Sequence, residues 1–186
     1  MNTLTHERGS IFEEYKPSEV IEICLEALNA FKDKDNFVFD MMSFGRISED
    51  GNQTCYGCLA TAFVFYFFEE EPSDYNIDYK HHPTGAYEYM DIQMIEEAID
   101  CLRIGDLETF LWHWGQHVPE VAKRNIVDWC NTEFDKYKET YPVHSPSFFS
   151  GDWVQEYKFF STDSMHIAAF KERMTIINKV LTIRDL

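Results

Sequence analysis

The sequence predicts an all-α protein, a single compact helical domain of about six helices with a short irregular or strand segment near residues 37–42. Three observations lead to this prediction: apolar residues recur at helical spacing, helix start and stop signals bracket those stretches, and strand patterns do not alternate with them. The chain has 186 residues, of which 45% are hydrophobic, which is enough for one core. We expect a loosely held N-terminal arm over residues 1–16 and one helical domain over residues 17–186.

Two helices are predicted in the N-terminal part of the chain. Pro17 supplies a helix start, and the apolar residues after it recur every three or four positions, namely Val20, Cys24, Ala27, Leu28 and Phe31. The long apolar run further along is too uniform for its periodicity to separate helix from strand. We interpret it as a buried helix from about Cys58 to Glu70, because a helix fits the rest of the chain better.

Four further helices are predicted from capping residues and helix breakers. They begin near Asp91, Asp106, Pro119 and Asp163, and Gly105 and Gly115 end the first two of them. Helical spacing predicts which of their side chains face the core. These are Ile92, Ile95, Ile99, Leu102, Leu107, Phe110, Leu111, Trp114, Val121, Ile126, Trp129, Cys130, Tyr137, Ile167, Phe170, Met174, Ile177 and Leu181.

The charge of the chain is strongly negative and unevenly distributed. With 16 Lys and Arg residues against 33 Asp and Glu residues, the formal net charge is −17. This excess predicts no direct binding to nucleic acid or to an anionic membrane surface, since both need positive charge. Residues 61–110 hold 12 acidic and 2 basic residues, whereas residues 111–186 hold 10 and 9. We call residues 69–108, where the excess is concentrated, the acidic region.

The acidic region predicts a surface for a basic protein partner. A concentrated negative field raises the rate of association with a basic protein, and salt weakens it. The residues expected to contact the partner are Glu69, Glu70, Glu71, Asp91, Glu96, Glu97 and Asp100. On this hypothesis the protein is a non-enzymatic inhibitor or adaptor. The alternative is that the acidity only keeps an aromatic-rich protein in solution.

The sequence favours a cytoplasmic protein. Residues 1–17 carry charges and lack the apolar stretch of a signal peptide. The longest apolar stretch, residues 59–68, has ten residues, about half the length of a membrane-spanning helix. The five cysteines are an odd number, which is typical of reduced thiols rather than a disulfide framework.

Cys55 and Cys58 carry the alternative hypothesis of a cysteine-centred enzyme or thiol redox sensor. A Cys-x-x-Cys that opens a helix is typical of thioredoxin-like redox proteins, in which helix N–H groups stabilise the attacking thiolate. In those proteins a strand precedes the motif, whereas we expect a polar loop over residues 48–52 to lead into it here. A third interpretation is that both thiols simply pack as small apolar groups.

The same segment, residues 53–60, resembles the nucleophile segment of papain-like cysteine proteases. In that family Gln, Cys and a following Ala surround a cysteine at a helix start. This chain departs from the pattern, because the Gln is displaced by one position and Leu59 stands where the family has Trp. The resemblance implies Cys58 as the nucleophile. We take His144 as the candidate base and Asp152 as the residue that orients it.

A structural zinc site is the remaining hypothesis. Cys55 and Cys58 have ligand spacing, and His113 and His117 lie four residues apart, so the four would make a Cys2His2 set. The 54 residues between Cys58 and His113 far exceed the dozen or so of a zinc finger. A helix break at Gly115 would also separate the two imidazoles, and His113 is equally typical of the edge of a core. No other cofactor is predicted.

Overall fold

The computed structural model of the protein describes residues 11–40, 46–47, 54–69, 89–137 and 164–186. Most of these residues lie in seven α-helices and three short strands. The helices are α1 (Ile11–Glu14), α2 (Pro17–Phe31), α3 (Leu59–Phe67), α4 (Tyr89–Ile104), α5 (Leu107–Trp112), α6 (Glu120–Tyr137) and α7 (Ser164–Ile183). The strands are β1 (Phe37–Phe39), β2 (Arg46–Ile47) and β3 (Cys55–Gly57), and a 3-10 turn, Gly115–His117, joins α5 to α6. The prediction of an all-α fold is confirmed.

Helix α2 lies at the centre of the helical packing and contacts both α3 and α7. It begins with Pro17 in its first turn. The backbone N–H of Lys16 donates to Glu19 Oε2 at 2.7 Å, which satisfies one amide at the helix start. The predicted apolar stripe from Val20 to Phe31 is buried throughout. Lys16, just before α2, also forms an ion pair with Asp185, which follows α7.

The three strands form one small sheet with the order β1-β3-β2. Strand β3 pairs in parallel with β1, placing Phe37 opposite Cys55, and in antiparallel with β2. The expected strand segment near residues 37–42 is confirmed by β1. The other two strands were not predicted, because runs of two or three residues carry no periodicity and form only through pairing.

Helix α3 is buried almost all round. Every side chain from Leu59 to Phe65 is buried, which explains why the run has no amphipathic periodicity. The interpretation as a helix is correct for Leu59–Phe67. Phe65 and two aromatic residues of the neighbouring elements, Phe31 and Phe37, pack with ring centroids 4.9 to 6.2 Å apart.

The junction between α4 and α5 follows the predicted helix stop and cap. Gly105 has a φ of 81°, a left-handed conformation that favours glycine. The side chain of Asp106 accepts a hydrogen bond from the backbone N–H of Thr109 at 3.1 Å. The prediction for the start of α4 is wrong, because the helix begins at Tyr89 and Asp91 lies inside its first turn rather than at its N-cap.

Most of the predicted inward-facing side chains are in the core. Those confirmed as buried are Ile95, Ile99, Leu102, Leu107, Phe110, Leu111, Trp114, Ile126, Cys130, Phe170, Met174, Ile177 and Leu181. Trp129 is half-buried. Val121 is 62% exposed, so its prediction is wrong: the next residue, Ala122, begins the buried stripe of α6 that continues four residues later at Ile126. The side chains of Ile92, Tyr137 and Ile167 lie outside the description.

Helix α1 shows that part of the predicted arm is packed. Ile11 and Phe12 are buried, and the Phe12 ring meets Trp114 edge-on at 5.0 Å. The indole N–H of Trp114 donates to the carbonyl oxygen of Tyr15 at 2.7 Å. A single helical turn is not stable alone, so these contacts hold it, and the local sequence gives no signal for them. Residues 1–10 lie outside the description, and the division at residue 17 stays a prediction.

Helices α6 and α7 are joined by a three-residue ion-pair network. Glu133 of α6 has a buried side chain, and its two carboxylate oxygens each accept a hydrogen bond of 2.6 Å. One comes from Lys136 Nζ of the same helix and the other from Lys179 Nζ of α7. These bonds hold the pKa of Glu133 down, at about 2, because both ammonium groups stabilise the charged carboxylate.

Candidate functional site

Helix α4 separates an apolar face from an acidic one. Ile95, Ile99 and Leu102 are buried in the core, whereas Glu97 and Asp100 are exposed. Helical geometry explains this division, since residues three and four apart share a face. Two of the seven predicted partner-contacting residues are therefore exposed on one surface of α4, and a third, Glu96, is half-buried beside it.

The pKa of the half-buried Cys101 thiol is raised by burial and by the carboxylates of this surface. Burial is the largest cause of its raised pKa of about 11, and three carboxylates add to it, in the order Asp106, Asp100 and Glu97. A nearby negative charge disfavours the thiolate and so raises the pKa. Three carboxylates from the end of α4 and the start of α5 thus act together on one place.

The remaining acidic candidates are only partly described. Glu69 follows α3, is exposed, and has a φ of 56°. The backbone of Asp91 lies in α4, but its side chain is outside the description, as are Glu70 and Glu71. Glu108 on α5, within the acidic region but not among the seven residues selected from the sequence, is exposed.

The two candidate cysteines lie where a strand meets a helix. Cys55 is the first residue of β3, and Cys58 is the N-cap of α3. Strand β3 is therefore formed by the motif itself, and the polar lead-in expected over residues 48–52 lies outside the described residues. Cys58 is 8% exposed and Cys55 is 0% exposed, which favours packed thiols. Cys58 Sγ lies 3.7 Å from the Thr61 hydroxyl.

The other members of the proposed catalytic set lie outside the structural description. His144 and Asp152 belong to residues 138–163, of which the structure describes nothing. Their roles as base and orienting residue therefore stay predictions. All five cysteines do lie in described ranges, and no disulfide joins any of them.

The candidate zinc ligands do not form one site in the described ranges. His113 is half-buried against Phe12, with ring centroids 5.4 Å apart, and its Nδ1 lies 3.0 Å from the carbonyl oxygen of Thr109. His117 is exposed in the 3-10 turn that begins at Gly115, whose φ is 52°. Among described residues, no three His, Cys, Asp or Glu side chains are grouped to hold a metal ion. Zinc on the two thiols stays a prediction.

Lys123 is a buried cation that the sequence analysis missed. Its Nζ donates to the carbonyl oxygen of Gly115 at 2.7 Å and to Glu120 Oε1 at 2.9 Å, and lies 4.1 Å from the centre of the Trp112 ring. The only local signal is Glu120 three residues earlier, which is equally typical of an exposed helical pair. The partner groups come from the α5–α6 junction, which the sequence does not place in space.

Comparisons with protein families, with curated proteins and with solved structures find no match for this chain. None of the helices in the described ranges combines the length and apolar composition needed to cross a bilayer.

Proposed function

We propose that the protein binds a basic protein partner through the acidic region, as an inhibitor or adaptor rather than as an enzyme. The observation that carries the proposal is the exposure of Glu97 and Asp100 on one surface of α4, with Asp106 and Glu108 exposed just beyond it. The raised pKa of Cys101, caused by burial and then by neighbouring carboxylates, agrees with it. Glu97 and Asp100 lie three residues apart on one helix, so like charge at these positions is unfavourable, and a cationic partner relieves that repulsion. Such a surface therefore favours a basic partner and speeds its approach.

The placement of the positive charges also supports the proposal. Several described cations are engaged elsewhere: Lys136 and Lys179 on Glu133, and Lys16 on Asp185. Arg184 lies 4.1 Å from the centre of the Trp129 ring. These contacts lie outside residues 61–110, where acidic residues exceed basic ones by ten.

Charge reversal on α4 tests the proposal directly. The variant Glu97→Lys/Asp100→Lys should bind a blocked hexalysine peptide at least tenfold more weakly than the unaltered chain at low salt. Asp128→Lys/Glu172→Lys is the matched control, because it changes the net charge equally at exposed positions of α6 and α7. Equal weakening by both variants would show that net charge alone matters and would refute a localised site.

Native partners can then be sought by affinity capture from the source organism at low and high salt. A protein that elutes as salt rises, and that the Glu97→Lys/Asp100→Lys variant fails to capture while the control variant retains it, would be the candidate. A partner held equally by both variants would not use this surface.

A second candidate function rests on the position of Cys58 at the start of α3, directly after β3. Helix N–H groups stabilise a thiolate, so Cys58 would serve as nucleophile or redox thiol, with Cys55 or His144 in support. Alkylation of the folded protein at increasing pH tests this candidate. A reactive Cys58 has an apparent pKa well below the free value of about 8.5, and protection from alkylation at every pH rules the function out.

The proposed location is the cytoplasm. It is supported by the five cysteines, none of which is in a disulfide, since reduced thiols are usual in a reducing compartment. Localisation of a tagged full-length chain tests this expectation.

A further inference from the structure

Trp112 is a large aromatic side chain that the fold leaves half in solvent. It is the last residue of α5 and is 49% exposed. Glu108, also exposed, lies four residues earlier on the same helix. Residues four apart on a helix are neighbours, so an open indole lies beside a carboxylate at the end of the acidic region.

The indole ring is held in place from its inner side. Lys123 Nζ lies 4.1 Å from the ring centre, and the Lys123 side chain is 1% exposed. Lys123 therefore covers one face of the ring, and a ligand would stack on the opposite face. Glu120 Oε1, 2.9 Å from the same Nζ, offsets the positive charge beneath the ring. A fixed aromatic group loses little conformational entropy on binding.

We propose that Trp112 and Glu108 together bind an arginine side chain of the basic partner. This inference rests on the proposed function and names the residue type that the surface selects. A guanidinium group is planar, stacks on an aromatic face, and donates to a carboxylate at its edge, whereas a lysine ammonium is compact and strongly hydrated. Arginine therefore uses both groups at once, and tryptophan with arginine is a frequent anchor of protein interfaces.

Two blocked peptides of equal charge, hexa-arginine and hexalysine, test the inference by their affinities for the full-length chain at fixed salt. We expect the unaltered protein to bind hexa-arginine about two- to fivefold more tightly, the range of a cation–π contact at an exposed site. Trp112→Leu, which still covers Lys123 with an apolar group, should abolish the preference and leave hexalysine binding unchanged. Trp112→Phe should retain part of it.

Val121→Ser is the matched control, because Val121 is also an exposed apolar residue but lies on α6, whereas Trp112 shares α5 with Glu108. Val121→Ser should keep the full preference for hexa-arginine over hexalysine, and Glu108→Gln should reduce that preference. Circular dichroism shows that each variant is folded, and unchanged affinity for hexalysine shows that Trp112→Leu and Val121→Ser leave the acidic region intact.

The outcomes separate this inference from the proposed function. Equal affinity for both peptides, or a preference that survives in Trp112→Leu, overturns the arginine site. If binding still weakens in Glu97→Lys/Asp100→Lys, the proposed function stands without that site. If neither peptide binds the unaltered protein at low salt, both proposals are overturned.

Discussion

At the level of single residues, Cys101 offers a direct measure of the field around the acidic region. We expect Glu97→Gln/Asp100→Asn to lower its pKa from about 11, because removing neighbouring negative charge makes the thiolate easier to form. The pKa is obtained from the rate of iodoacetamide labelling as a function of pH, with the labelled position identified by mass spectrometry.

Cys101→Ser supplies the background of that measurement, since the other four thiols are buried. The same titration in the presence of hexalysine should also show a lower pKa, because a bound cationic peptide offsets the carboxylates. An unchanged pKa in the double variant would contradict the electrostatic account of α4.

Gly57 is a residue whose lack of a side chain is required by packing. A Cβ at this position would lie 2.7 Å from both Cβ and Cγ2 of Thr61, because the end of β3 runs against the first turn of α3. We expect Gly57→Ala to lower the free energy of unfolding by about 1–3 kcal/mol, measured by urea denaturation.

Gly115→Ala is the comparison for Gly57→Ala. Nothing lies within 4 Å of a Cβ at Gly115, and only its φ of 52° disfavours a side chain. Its cost should be about 1 kcal/mol, without any steric contribution. A smaller effect at Gly57 than at Gly115 would mean that the strand end moves freely away from α3.

At the level of helices, the Glu133 network determines how α6 and α7 respond to acid. Glu133→Gln should lower the free energy of unfolding at pH 7 by about 2 kcal/mol, since the neutral amide keeps one acceptor oxygen and places an N–H donor against the second ammonium group. Glu172→Gln is the control, because Glu172 is exposed on α7 and its replacement should have little effect. Thermal and urea unfolding of both variants measure the difference.

The pH dependence of this network has a definite sign. The folded-state pKa of Glu133, about 2, lies below the ordinary value of 4.5, so Glu133 of the unfolded chain takes up its proton first as the pH falls. The stabilisation is therefore full above about pH 5 and is lost progressively toward pH 2. The gap in stability between the unaltered protein and Glu133→Gln should narrow over this range. A constant gap would contradict the ion-pair account.

The helices were predictable because their signals are local. The stripe from Val20 to Phe31 and the cap at Asp106 depend on residues within one or two turns of each other. Strands β2 and β3 and helix α1 were missed, because each is short and depends on a partner distant in sequence. Phe12, for example, is buried by Trp114, about a hundred residues along the chain.

The candidate site was predictable in composition but not in arrangement. Counting charges located the acidic region, and helical spacing placed Glu97 and Asp100 on the exposed side of α4. Trp112 was predicted neither as exposed nor as part of a site, since the break after α5 and the inward position of Lys123 are set by the junction with α6. Similarly, the strand before Cys58 depends on pairing with β1.

At the level of the whole molecule, a net charge of −17 opposes compaction by self-repulsion. We expect moderate NaCl to raise the melting temperature. Glu97→Gln/Asp100→Asn should raise the free energy of unfolding by about 0.5 kcal/mol at low salt, in line with the removal of like-charge neighbours. Calorimetry across a salt series measures both effects.

That gain in stability should accompany the loss of binding to basic peptides, because functional surfaces are commonly kept at the expense of stability. The corresponding Asp128→Asn/Glu172→Gln variant should change stability less, since residues 111–186 are nearly neutral. Greater stabilisation by this control would contradict a localised excess of repulsion.

The central position of α2 between α3 and α7 also determines when the protein can finish folding during synthesis. Its contacts with α3 become available early, but those with α7 await residues 164–183. At about 5–20 residues per second, the ribosome takes on the order of ten seconds to proceed from Phe31 to Ser164. Until then the side chains of α2 that contact α7 lack that cover, and the packing around α2 is completed only once α7 has been made.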